Sequence, residues 1–272
     1  MQVDQSKKIN INSLNLRFVA IFEERVEYKR VYTLPFNTLT AVVDDGGSDD
    51  ATIENLLTGE TSSRRRGDLI FTPVNLPMLV NAKMTLHTLS VHFKYELYPG
   101  MDIFDACRKY RVEHVPDAVA ELEKLFLMPD QLRALSGIRE FTLNFCNSHW
   151  PENVSDNEAL RRFRPVMDFV RNGVTARTTV EQLADMMSMR LDAFSREFAA
   201  HFGKNAKDFI QDELIMKATT LLTRPNGSVS DAAARLGFSS QFYFSKFFKR
   251  RIGCSPSEYR QRFSLGTDKR EP

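Results

Sequence analysis

Apolar positions recur along this chain with two different periods, and the change falls near residue 116. Before it, Leu16-Arg-Phe-Val-Ala-Ile-Phe22 is rich in strand formers, and Leu39–Val43, Leu69–Thr72 and Leu86–Tyr95 are further runs of that kind. In the last of these, Leu89, Val91 and Phe93 share one face of a strand while Thr88, Ser90 and Lys94 take the other. Turn residues punctuate the runs: Asp44-Asp-Gly-Gly-Ser-Asp-Asp50 in one place, Gly67-Asp68 and Pro73 around another. Short strands between turn clusters predict an antiparallel barrel or sandwich. From Pro116 the spacing becomes helical, with Val119, Leu122, Leu125 and Phe126 on one stripe and a second helical pattern from Leu132 to Phe145.

Trp150-Pro-Glu-Asn-Val-Ser-Asp156 is polar and broken by proline, and reads as a linker. Beyond it every segment to about Phe263 is helical. Glu158–Asn172 carries Leu160, Phe163, Met167 and Val170 on one stripe, with Pro165 as a predicted kink or restart. Thr178-x-x-Glu181 reads as a capping box. Arg190-Leu191-Asp192 opens the next helix, which turns Phe194, Phe198 and Phe202 inward and stops at Gly203. Ala206–Thr223 is a longer segment; Ser228-x-x-Asp231 caps a short helix through Arg235; Gln241–Arg251 follows the turn Leu236-Gly237-Phe238. Ser255-Pro256-Ser257-Glu258 supplies a cap, a first-position proline and an acceptor for a last helix.

Short helix, turn, longer helix thus occurs twice, around 180–202 and 228–252. Such a unit can project one helix end-on into a duplex groove. The intervening helix of about 17 residues would span ~25 Å, compatible with two such helices about one duplex turn (~34 Å) apart.

Charge sharpens this division. Residues 158–272 hold 20 Lys and Arg against 13 Asp and Glu, a net of +7, whereas the rest holds 17 against 22, a net of −5. A basic helical portion on an acidic strand portion implies two units with different partners. No apolar run approaches the ~20 residues of a membrane span, and the polar N-terminus lacks the apolar centre of a secretory signal. Cys107, Cys146 and Cys254 are odd in number and widely spaced, which fits a reduced cytoplasm rather than a disulfide scaffold.

One further pattern is specific. Lys217-Ala218-x-x-Leu221-Leu222 leads to Val229-x-x-Ala232-Ala233-x-x-Leu236-Gly237-Phe238. It continues through Phe244-x-x-x-Phe248-Lys249-x-x-Ile252-Gly253-x-Ser255-Pro256-x-x-Tyr259-Arg260. Over some 45 residues this resembles the AraC/XylS family of bacterial transcription regulators, with a weaker match through Leu183-Ala184, Phe194-Ser195-Arg196-x-Phe198 and Gly203. The resemblance implies a seven-helix DNA-binding domain with two helix-turn-helix motifs. Leu214 stands where the family usually has Arg, Arg190 replaces a small cap, and Ala232 replaces the common Ile.

Within that frame Phe244, Phe247, Phe248 and Ile252 face inward, and Gly237 ends the first helix of the second motif. Gln241, Phe242, Ser245 and Lys246 remain outward as base readers: Gln for adenine, Lys for guanine, Phe for a thymine methyl. The matching positions of the first motif are Asp192, Ser195 and Arg196, with the planar fork of Arg196 suited to guanine. Lys249, Arg250 and Arg251 are expected on phosphates, helped by backbone amides at the helix starts near 228 and 255. Tyr259-Arg260 reads as structural, holding the last helix against the second motif.

Arg66-Gly67-Asp68-Leu69-Ile70-Phe71-Thr72-Pro73, followed by Val91-His92-Phe93, resembles the cupin-like sensor domain found in many members of the family. This implies a small β-barrel and two dimerising helices, about 118–128 and 130–147, with a small-molecule effector in the barrel. The effector residues are unassigned, and a sugar is the family expectation. Met78 stands close to where a His usually follows. A metal centre needs several ligands on one face, yet His87 and His92 lie five apart on one strand and so on opposite faces, one packed and one solvated. No phosphate loop, serine-hydrolase elbow, zinc-protease or dinucleotide motif is present, and Asp49-Asp50 sits in a turn. No metal, cofactor or catalytic residue is therefore expected.

The fold class expected is α+β and multidomain. Residues 1–116 form a cupin-like β-barrel, 117–150 a helical dimerisation segment and 151–157 a linker, while 158–264 form an AraC-type double helix-turn-helix domain and 265–272 a tail. Expected partners are double-stranded DNA, a small-molecule effector, a second copy of the chain and RNA polymerase, with no membrane. Two other readings stand beside this one: a metal-dependent cupin enzyme fused to a DNA-binding module, and a dimerising DNA-binding protein with no effector.

Overall fold

The computed structural model describes residues 14–47, 50–98, 100–149, 158–224 and 226–263. The expected linker, the C-terminal tail and Asp49 lie outside these residues. The chain packs as two units, one made of Leu16–Tyr95 with Phe104–Glu152, the other joining Glu96–Ile103 to the helices beyond residue 153.

Strands β1 (Asn15–Thr33), β2 (Asn37–Asp44), β3 (Thr52–Asn55), β4 (Thr61–Ser63), β5 (Asp68–Thr72), β6 (Pro77–Tyr98), β7 (Met101–Asp102) and β8 (Arg111–His114) form one sheet, with β7 and the last residues of β6 inside Glu96–Ile103. Its order is β4-β3-β6-β2-β5-β8, with β1 and β7 also paired to β6. Among the described residues this order is open, so the expected barrel does not close. Strand β6 is 22 residues long, enough to pair with β3 near its start, β2 along its middle and β7 at its end. Register fixes the chemistry of each face: Leu39 lies opposite Val91 and Phe71, and Ala41 opposite Leu89 and Leu69. One residue along, Thr38 lies opposite His92 and Thr72, and Thr40 opposite Ser90 and Ile70. Because successive side chains alternate, the first set makes an apolar face and the second a largely polar one.

The apolar face is covered by α1 (Pro116–Phe126) and α2 (Gln131–Ser148), each within two residues of its expected bounds. Pro116 occupies the first turn of α1, and Asp130 caps α2 by accepting from the amides of Leu132 and Arg133. The Phe145 ring lies 5.3 Å from that of Phe71, which ties α2 to β5.

The helical unit contains α3 (Glu158–Gly173), α4 (Val180–Met186), α5 (Leu191–Phe202), α6 (Ala206–Thr223), α7 (Val229–Arg235), α8 (Gln241–Ile252) and α9 (Pro256–Phe263). These are the seven helices that the resemblance implied. Helix α3 runs through Pro165 without the expected restart, its Phe163, Val166, Met167 and Val170 all fully buried. The box before α4 is displaced by one residue: Thr179 and Gln182 cap each other, while the Thr178 hydroxyl accepts from the Thr175 amide. Ser228, Ser240 and Ser255 cap α7, α8 and α9.

Phe163, Phe194, Phe198, Phe202 and Phe209 cluster in the core of the first motif, with ring centroids 4.5–5.8 Å apart. Phe244, Phe248 and Tyr259 do the same in the second, and burial pushes the Tyr259 phenol above its ordinary range. Helix α6 lies between the motifs and is buried on nearly every side. Glu96–Ile103, expected within the barrel, joins this unit. Glu96 is fully buried, accepts from the Gly100 amide at 2.9 Å and pairs with Arg171 at 3.2 Å.

The turns of the two motifs use different residues for the same backbone need. Gly237 has φ 74°, whereas the first motif places Ser188 at φ 53°. A side chain at Gly237 would also stand 3.3 Å from Cβ of Thr175. Gly237→Ala should therefore cost about 1–2 kcal/mol of stability, read as a lower urea midpoint at unchanged slope. An unchanged midpoint would mean that the turn relaxes without strain.

Candidate nucleic-acid interface

Burial along α8 follows its period. Phe244, Phe248 and Ile252 point into the core, which leaves Gln241, Phe242, Tyr243, Lys246, Lys249 and Arg250 exposed and Ser245 half-buried. Phe242 and Tyr243 are 70% and 60% exposed, with their rings 5.8 Å apart at the start of the helix. An apolar pair held in solvent beside Lys246 is ready-made for contact with a partner. Tyr243 was absent from the sequence-derived set, although its neighbour Phe242 was included. The signal lay in the same period, because Tyr243 and Lys246 are three residues apart on one face.

Helix α5 presents its outward face in the same way. Asp192 and Arg196 are exposed and Ser195 is half-buried, while Phe194, Phe198 and Phe202 are interior. Asp192 does not cap the helix; Arg190 holds that position, makes no capping bond and pairs with Asp192 at 3.3 Å. Among the described residues, no ion pair or hydrogen bond occupies Arg196, Lys246, Lys249 or Arg250, so their charge is available.

Arg251 differs from the phosphate contact expected of it. Its side chain is only 23% exposed, and its guanidinium is held by Asp212 and, at 3.5 Å, by Asp208. At the helix start near 228 the Ser228 hydroxyl takes the Asp231 amide, and near 255 Ser255 and Glu258 cap each other, which places one carboxylate at the start of α9. Tyr259 is buried against Phe248, as its structural role requires.

The histidines on the strands lie apart from one another. His87 lies half-buried, 2.8 Å from Glu23, rather than solvated; His114 meets Asp68 at 2.9 Å. His92 is buried between the rings of Phe22 and Phe36, at 4.7 and 4.9 Å. Among the described residues no group of three metal-ligating side chains converges. The same polar face gathers Thr38, Thr72, Ser90 and Lys94 around His92, and gives way to an apolar cluster containing Val42, Ile70, Met78 and Val80. Met78, close to the usual family His, is thus a core residue.

The helical unit thus carries two motifs of short helix, turn and longer helix, with an outward cationic face on the longer helix of the second. Residues 183–262 match the family described as a helix-turn-helix domain. Over 110 residues the chain is 30% identical to the HTH-type transcriptional activator RhaS of Enterobacter sp. strain 638, covering 40% of this chain and 39% of that one. Over 73 residues it is 38% identical to the HTH-type transcriptional regulator ExsA of Pseudomonas aeruginosa, covering 27% and 26%. The aligned region therefore spans less than two fifths of the length of these relatives. ToxT from Vibrio cholerae shares the fold across both units: an apo variant superposes with TM-score 0.65 at 11% identity, covering 94% of this chain and 100% of that one. Over this helix-turn-helix region the chain is thus similar to HTH-type transcriptional regulators.

His92 confers a pH dependence on the strand unit. Burial lowers its pKa to about 3, whereas in the unfolded chain the imidazole takes a proton below about pH 6.5. Stability is full above pH 6.5 and falls as the pH drops through that window, by ~2 kcal/mol between pH 7 and pH 5. Urea titrations at the two pH values should show that difference in the native protein and a smaller one in His92→Gln. Equal differences would assign the effect to other groups.

Proposed function

We propose that the protein is a sequence-specific DNA-binding transcription regulator that acts in the cytoplasm and responds to a small molecule. The observation that carries this reading is the outer face of α8. There Gln241, Phe242, Ser245 and Lys246 precede Lys249 and Arg250, above a core that leaves those side chains no structural task. Lys and Gln at the start of such a helix suit base edges, and the cations further along suit phosphates. Helix α5 offers Arg196, Ser195 and Asp192 as a second reader. Tyr243 joins the set by its exposure beside Phe242.

A second copy of the chain is the natural cover for the α1–α2 turn, where Leu127, Leu132 and Leu135 are exposed. Contact with RNA polymerase completes this reading. For the effector, the polar face of the sheet favours an acidic amphiphile over a sugar, because buried Lys94 and His92 adjoin the apolar cluster around Ile70 and Met78. ToxT is described with an unsaturated fatty acid bound.

Selection from random duplexes should yield a preferred sequence bound at least ~10³-fold tighter than bulk DNA. On it, Lys246→Ala and Arg196→Ala should each cost ~1–3 kcal/mol and relax the preference at one base. Lys249→Ala should weaken all DNA alike and flatten the salt slope by about one unit. Equal losses on random DNA would remove Lys246 and Arg196 from the base readers. In thermal melts an unsaturated long-chain fatty acid should stabilise the protein and monosaccharides should not; the reverse would restore the sugar.

A further inference from the structure

The ends of α5 and α8 meet at one carboxylate. Asp212 lies one turn and a half into α6 with its side chain 2% exposed. One of its oxygens holds Nη2 of Arg251, in the last turn of α8. The other lies 3.6 Å from Nζ of Lys204, which follows the glycine that ends α5. Asp208, one turn earlier on α6, adds a second hold on Arg251 at 3.5 Å. Lys204 is itself fixed, donating to the Gly100 carbonyl at 3.2 Å and lying 5.6 Å from the Phe209 ring, which packs on Phe198 of α5.

A carboxylate withdrawn from water is stable only with its partners in place. Any rotation of α8 relative to α5 that pulled Arg251 or Lys204 away would strand this charge. Apolar packing alone is less directional, since side chains can slide and repack with little loss. The ion network therefore resists a change in angle between the two outward faces, beside the packing of α6 on both helices.

We propose that Asp212 is a positioning residue that sets the angle and separation of α5 and α8, and so the spacing between the two DNA segments that one chain can read at once. This rests on the proposed DNA-binding function. Asp212 touches no DNA in this scheme; it acts through Arg251 and Lys204. A rigid pair tolerates one spacing, because one inserted base pair rotates the second segment by about a tenth of a turn. A loosened pair adapts to several spacings at the cost of ordering on binding.

The test uses the full chain and a selected two-segment duplex, with variants of that duplex carrying one inserted or one deleted base pair between the segments. Binding is followed by fluorescence anisotropy. The native protein should lose at least ~30-fold in affinity on either change, and Asp212→Asn should lose less than ~5-fold. The salt slope should be unaltered, because no phosphate contact is removed. Should Asp212→Asn fail to fold, judged by circular dichroism and thermal melting, Asp212→Leu with Arg251→Leu removes the pair without leaving a buried charge. That double variant should show the same flattened profile.

A folded variant that keeps the native spacing penalty overturns the proposal. A uniform change of affinity on every duplex also overturns it, as that would reflect only altered charge or stability. A native protein that binds its selected duplex with no spacing preference removes the geometry that Asp212 would hold. Failure of the native protein to prefer any sequence sinks the DNA-binding reading itself, and is seen before any variant is made.

Discussion

Helix α6 must satisfy neighbours on almost every side at once, because α3, α5, α7, α8 and α9 all pack against it. A helix so placed has little solvent face on which to leave its polar residues. Ala206, Phe209, Ile210, Ile215, Ala218 and Leu222 meet this demand with apolar surface, while Asp212, Glu213, Thr219 and Thr223 meet it with internal bonds and charges. The threonine hydroxyls return to backbone carbonyls of the same helix, as with Thr219 to Met216 and Thr223 to Thr219. The carboxylates cannot do so and need cations from elsewhere. That need draws Arg251 inward and couples the two motifs, which otherwise have separate aromatic cores.

Much of the helical unit was legible in the sequence because its phenylalanines are spaced by the helix itself. Phe194, Phe198 and Phe202 mark the inner line of α5, and Phe244, Phe248 and Ile252 that of α8; the outward positions follow by subtraction. Arg251 misled because it ends a run of three adjacent cations, which invites reading them as one patch. Three residues past Phe248, it already stood beside the inner line, but its partners lie about forty residues earlier and no local pattern points to them. The Thr178-Thr179 pair shows the opposite limit. Either hydroxyl could cap α4, and only the backbone path selects Thr179.

The strand unit was less transparent. Runs rich in strand formers announced the start of β1, β2, β5 and part of β6, whereas β3 and β4 have four and three residues and too little periodicity to register. Whether a sheet closes depends on pairings between distant strands, which alternation does not encode. The placement of Glu96–Ile103 beside the helices depends likewise on non-local partners, Arg171 for Glu96 and Phe209 beneath Gly100. The polar face around His92 was half visible: Thr88, Ser90 and Lys94 stood opposite the apolar residues of β6. Their alignment with Thr38 and Thr72 required the register.

That alternation separates two inheritances within a single stretch of chain. On β2, Leu39 and Ala41 answer to the helices that cover the sheet, whereas Thr38 and Thr40 answer to whatever chemistry the opposite face must host. Point changes at even-numbered positions can retune one while the odd-numbered partners keep the scaffold intact. An insertion or deletion of one residue would instead trade the two roles along the rest of the strand. Descendants of this gene should therefore diversify here by substitution and almost never by changes in length.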